Sequence, residues 1–167
     1  MHLASALLAT FLILAGTPAF AQQAKLLQKF DDWQVFLHEA KDEKVCFIAS
    51  APKEMEPKTA KRGPVYFYLT TWQKDGVRNE ISVKVGYALK PDSSPTVAVG
   101  NDEFQLYPKE DKAFMRDPAE ERKLLDAMRK GTNMTVKGTS ARGTNTTDSY
   151  SLKGLASALK QLETSCK

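Results

Sequence analysis

Over several stretches of the chain, apolar and polar residues alternate with a period of two. In "FDDWQVFLHE" (30–39), Trp33, Val35 and Leu37 alternate with Asp32, Gln34 and Phe36. Successive side chains of a strand point to opposite faces, so this pattern predicts a half-buried strand. "KVCFIAS" (44–50) predicts a second, joined to the first by the polar turn "AKDE". "VYFYLTTWQ" (65–73) is aromatic and β-branched, and "KDG" turns it into "NEISVKVGYAL" (79–89). There Ile81, Val83, Val85 and Tyr87 alternate with other residues, so the two segments read as a hairpin. Shorter strands are predicted at "TVAVG" (96–100), "EFQLY" (103–107) and "KAFMR" (112–116), and two more at "MTVKGTS" (134–140) and "TTDSYSL" (146–152). Between the second and third strands, "APKEMEPKTAKRGP" (51–64) breaks the alternation with prolines and a glycine and reads as a long loop.

In two windows the period lengthens to that of a helix. "DPAEERKLLDAMRKG" has Asp117 to cap the N-terminus, Pro118 at the first helical position and Glu120 and Glu121 in the first turn, with Gly131 after Arg129-Lys130. Leu124, Leu125 and Met128 form its apolar stripe. Near the C-terminus Leu155, Leu159, Leu162 and Cys166 share one helical face, and Ser151 is the expected cap. The pattern predicts a mainly β (α+β) fold. It is an antiparallel β-sandwich or open barrel with two packed helices, at about 117–130 and 152–165.

The N-terminus changes the picture. Residues 1–24 hold no Lys, Arg, Asp or Glu, and the apolar run "LASALLATFLILA" is followed by "GTP" and then "AFA". A short apolar core followed by small residues predicts a signal peptide over 1–21, leaving 22–167 as a single domain. The run is shorter than the roughly 20 apolar residues that span a bilayer. The cleaved product is therefore expected not to be an integral membrane protein. The expected destination is the periplasm, with the outer membrane and the medium as alternatives.

Charge adds little. The net charge is +4, and signs alternate, as in "KEDKAFMRDPAEERK". Nucleic-acid binders concentrate their cations in a stripe, so no nucleic-acid partner is expected.

The chain has two cysteines, Cys46 and Cys166. In an oxidising compartment two cysteines in a small domain usually pair, and this bond would staple the last helix to an early strand. The alternative is a reactive thiol, but there is no C-x-x-C and only one histidine, His38, beyond the leader. No catalytic set, metal set or cofactor motif is evident. Neither a phosphate-binding glycine loop nor a G-x-S-x-G occurs. His38 reads as a surface residue, and Asp31-Asp32 as strand neighbours on opposite faces. The aromatics of "VYFYLTTW" read as core in preference to a ligand groove. The best partner-facing candidates are the loop cations Lys53, Lys58, Lys61 and Arg62.

These landmarks together resemble one family. A leader precedes "FDDWQV", a cysteine-bearing strand follows, and the chain closes on "TTDSYSLKGLASALKQLETSC". This resembles the invasion-associated locus B family of exported alphaproteobacterial proteins, over nearly the whole of 22–167. Asp32-Trp33 with Val35 and the C-terminal "DSYSLKGLASAL" carry the likeness. The resemblance implies a non-enzymatic envelope or secreted protein related to a factor in the invasion of host cells, acting on an unidentified envelope or host-surface partner. Family members often carry a cysteine soon after D-W-x-V. Here "QVFLHE" has Leu37 and none, which leaves Cys46–Cys166 as the internal bridge. Two rival expectations stand beside it: a periplasmic structural or chaperone-like module that binds through a sheet edge, and a hydrolase with an unconventional site.

Overall fold

The computed structural model describes residues 23–166, so the leader expected at 1–21 lies outside the described residues. The alternating segments form two antiparallel sheets. The larger runs, in spatial order, β1 (Lys25–Phe30), β2 (Trp33–Ala40), β3 (Glu43–Ser50), β5 (Tyr66–Trp72), β6 (Val77–Lys84), β10 (Lys112–Phe114) and β9 (Tyr107–Lys109). The smaller runs β4 (Glu54–Glu56), β12 (Asn145–Ser151), β11 (Asn133–Thr139), β7 (Thr96–Val99) and β8 (Asp102–Gln105). Among the described residues each sheet has two free edges, so the architecture is a sandwich with packed helices and not a closed barrel.

Register explains the core. Val35, Ile48, Leu69 and Ile81 lie directly opposite one another across four strands of the larger sheet, all fully buried. Val136, Val97 and Phe104 form the matching row of the smaller sheet. The two inner faces meet where Phe67 packs edge-on against Tyr150, with ring centroids 5.9 Å apart. Two helices complete the core. α1 (Pro118–Lys130) lies against β7 and β8 through Leu124, Leu125 and Met128, and α2 (Leu155–Ser165) lies against β1, β2 and β3. Leu155, Ala158, Leu159 and Leu162 are the buried face of α2, and Cys166 continues it. Cys46, which faces inward, is bonded to Cys166 with a Cα–Cα distance of 5.9 Å. Among the described residues no helix is long and apolar enough to cross a membrane.

The structure departs from the sequence pattern in five places. The predicted strand 30–39 is really a hairpin, with Asp31 and Asp32 as its two-residue turn and β1 before it. Asp31 takes φ 47°, which Asp tolerates better than most residues. β1 escaped notice because it is an edge strand with most side chains exposed, which leaves no apolar alternation. The loop 51–64 contributes β4, which pairs with β12. "EFQLY" divides between the sheets, with buried Leu106 at the crossing and its N–H bonded to Pro95 O. The strand expected to run to residue 89 stops at Lys84, because the chain bends at Gly86 (φ 77°) beside Gly63, where a Cβ would lie 2.5 Å from Gly63 O. Finally, α2 is not capped by Ser151. Its N-cap is Gly154 at φ 90°, and Ser151 is the last residue of β12.

Candidate functional site

The sequence landmarks at 31–33 and 148–154 meet in space. Asp32 N–H donates to Lys153 O at 3.3 Å, and Trp33 Nε1 donates to Ser151 O at 3.1 Å. Lys153 also reaches Asp31 at 3.1 Å. Gly154 lies so close to the hairpin that a Cβ there would fall 2.1 Å from Phe30 O. Trp33 is wholly buried, edge-on to Phe67 at 6.2 Å. The β1–β2 turn is thus a latch that joins the larger sheet to the strand leading into α2. Its work is architectural: buried ring, backbone carbonyls and a glycine-sized gap.

The four loop cations do not act as one group. Arg62 was expected to face a partner, and the structure corrects this. Its side chain is only 5% exposed, and both terminal nitrogens donate to the carboxylate of Asp148, itself 1% exposed. Nε and one terminal nitrogen also donate to Val85 O, and the guanidinium sits over the Tyr87 ring, 5.2 Å from its centre. The physical reason lies in β12. Asp148 stands directly opposite Val136 on the inner face, so its charge needs a buried counter-ion. Beside this pair, Tyr87 Oη and Thr146 Oγ1 share a hydrogen bond of 2.6 Å. Tyr150 Oη is buried with no hydrogen-bond partner among the described residues, and burial pushes its phenol far up from the ordinary value. Lys53 is exposed but bound to Asp32, whose carboxyl is held below its usual value by hydrogen bonds from Lys53 and Ser151. Lys58 and Lys61 are exposed and enter no ion pair among the described residues.

The outer face of the larger sheet carries an aromatic surface instead of a polar one. Cross-strand register places Gln34, Ala49, Tyr68, Ser82, Phe114 and Tyr107 in one row, and Phe36, Phe47, Thr70 and Glu80 in the next. Phe36 stacks on Phe47 at 5.0 Å, Phe47 meets Tyr68 at 6.0 Å, and Tyr68 meets Tyr66 at 5.8 Å. Tyr107 stacks on Phe114 at 5.8 Å, with Arg116 over its ring. The small residues Ala49, Thr70 and Ser82 are buried beneath these rings. Together they shape an open groove of about 530 Å³, floored by Phe47, Tyr68, Trp72 and Phe114, with His38 and Lys112 on its walls. Trp72 Nε1 donates to Glu80 Oε1 at 3.4 Å. The sequence pattern places the aromatics of 65–72 in the core. That holds for Phe67, while Tyr66, Tyr68 and Trp72 alternate onto the other face.

Residues 33–163 match the model of the family described as invasion associated locus B (IalB) protein. The chain belongs to the IalB family. No curated protein and no solved structure matches it. The resemblance seen in the sequence is thereby confirmed, and the IalB landmarks at Trp33 and Ser151 lie at the latch between sheet and helix. The disulfide expected between Cys46 and Cys166 is present, and neither is free. Both sulfurs belong to buried residues, at 0% and 2% exposure, so they hold the IalB fold and offer no reactive thiol. His38 stands on the outer sheet face, half-buried, in a row with Val45 and Trp72. Among the described residues no cluster of His, Cys, Asp and Glu side chains could hold a metal ion. Asp148 was missed in the sequence. The signal was there, an acid at an inward position of the alternation Thr146, Asp148, Tyr150, Leu152.

Proposed function

We propose that this IalB chain is exported and acts by binding, without catalysis, a protein partner of the cell envelope or of a host surface. The observation that carries this reading is the aromatic face of the seven-stranded sheet, left open among the described residues. Antiparallel sheets that turn one side to water ordinarily place polar residues there. This face instead sets rings at its centre and Lys112, Glu43, Glu80 and Arg116 around them. Aromatic anchors inside a charged rim are the composition of protein interfaces. The groove is open along its length, which suits a surface or an extended segment better than an enclosed small molecule. Export is supported by the leader pattern and by a disulfide, which persists in oxidising compartments.

The rival mode, strand addition at a sheet edge, is disfavoured by how the edges are built. β1 presents Lys25, Lys29 and a bulge between Leu26 and Gln28, and β4 presents Glu54 and Glu56. Charges and bulges on edge strands oppose further pairing. The test is a photo-reactive phenylalanine introduced singly at Tyr66 on the face, Leu26 on the edge and Lys160 on the outer side of α2. Irradiation of the producing cells, and of host cells exposed to the protein, should give one defined adduct from Tyr66 and none from Lys160. Adducts from Leu26 alone would move the site to the edge and sink this reading. Recovery of the adduct from bacterial or from host material assigns the partner's origin.

A further inference from the structure

A second concavity lies away from the aromatic face, between the loop 57–62 and the β11–β12 turn. It is a cleft of about 380 Å³, with Lys61 and Thr59 on one wall and Arg142, Ser140 and Thr144 on the other. Its floor is Arg62, Tyr87 and Thr146, with the guanidinium over the Tyr87 ring and Tyr87 Oη bonded to Thr146 Oγ1, while Asp148, which Arg62 binds from behind, stays outside the lining. The walls are fixed in place. Arg62 ties the loop to Asp148 and Val85, and Ala141 N–H donates to Ala88 O at 2.8 Å to hold the turn.

Three features give this cleft a chemical preference. First, its two outer cations, Lys61 and Arg142, come from different elements and enter no ion pair among the described residues. The one buried cation, Arg62, is already neutralised, and no carboxylate lines the cleft. Second, hydroxyls have spare capacity. Ser140 is 93% buried, and its Oγ accepts the Thr144 N–H at 3.1 Å, leaving its own hydrogen to donate. The Thr59 and Thr144 hydroxyls make no hydrogen bond within the described residues. Third, the space exceeds that of a lone oxyanion, while Arg and Lys together suit a tetrahedral ester.

We propose that this cleft binds an anionic saccharide, a sugar bearing a phosphate or sulfate ester. Lys61 and Arg142 take the ester from opposite walls, and Ser140, Thr59 and Thr144 bond the sugar hydroxyls. A membrane headgroup and a free glycan can present the same group, and the test separates them.

The experiment is an amide-shift titration of the folded chain with glucose 6-phosphate, inorganic phosphate and glucose, each in matched salt. Shifts confined to residues 59–62 and 140–146 are expected with glucose 6-phosphate, weakening as salt rises. Lys61→Gln with Arg142→Gln should weaken binding on the order of tenfold or more while leaving the melting temperature unchanged. Glucose 6-phosphate that binds no more tightly than inorganic phosphate, or shifts that survive the double substitution, would overturn the proposal. A companion arm uses vesicles of phosphatidylcholine and phosphatidylglycerol, which offer phosphate without a sugar ester. Vesicle binding that is as tight and equally sensitive to the double substitution would replace the saccharide with a phospholipid headgroup. Failure of this site leaves the aromatic face untouched, because the cross-linking positions lie elsewhere.

Discussion

At the scale of single residues, Asp148 shows how one buried charge orders its surroundings. Because both members of the pair are almost fully buried, removing one strands the other. Arg62→Ala or Asp148→Asn should each cost about 3–5 kcal/mol, read as a lower urea midpoint. Arg62→Met with Asp148→Leu together should recover much of that loss, since apolar side chains of similar size avoid the desolvation cost. Single and double variants with equal stability would contradict the assignment. Glu121 makes a separate case. Beyond the end of β10 its carboxylate accepts the Ile81 N–H at 2.6 Å. Burial raises its carboxyl above the ordinary value, although the Ile81 hydrogen bond and Arg122 pull downward and Glu80 adds to the rise. A raised folded-state value means that the folded chain holds this proton more tightly. Stability therefore falls as pH rises from the ordinary carboxyl value through the raised one, and stays lower above it. Glu121→Gln keeps an acceptor for Ile81 but cannot titrate. It should flatten that stretch of the stability curve and melt higher at neutral pH. A curve parallel to the parent's would remove Glu121 as the cause.

At the scale of elements, α1 was readable almost to the residue because its signals are local. Asp117 accepts the Ala119 N–H at 2.7 Å, Pro118 follows, and the three predicted apolar residues are the buried ones. Gly131 ends it for a reason the sequence did not show. Its φ is an unremarkable −79°, but a Cβ would lie 2.6 Å from Val99 Cγ1. For α2 the buried face was legible and the start was not. Gly154 is required by a backbone contact with Phe30, a residue far away in sequence. Gly154→Ala combines a left-handed φ with a backbone collision. It should destabilise by more than the roughly 1–2 kcal/mol of the left-handed conformation alone, with the loss read in thermal melting. At its other end α2 is held by Cys166. Cys166→Ser should cost about 4–5 kcal/mol, because the bond closes a 120-residue separation. Amides of 160–166 should then exchange fastest within α2, and unchanged protection there would show that packing alone holds the helix.

At the scale of the molecule, the inner faces were legible because burial imposes a period of two. The outer face was not, since an aromatic strand such as 65–72 reads the same whether its rings point inward or outward. Only the pairing of Phe67 with Val83 and of Tyr68 with Ser82 decides which ring goes where. The family landmarks behave likewise: Trp33 and Ser151 are separated by 118 positions and joined by one hydrogen bond, so they record the fold. The proposed binding belongs to the surface that these landmarks leave free. The most direct test is the size of the chain in gently extracted native envelopes, compared with that of a Tyr66→Ser, Tyr107→Ser variant of the same melting temperature. The account predicts that the parent travels in an assembly larger than itself and that the variant travels alone. A parent that travels alone, or a variant that keeps the parent's assembly, would contradict binding through this face.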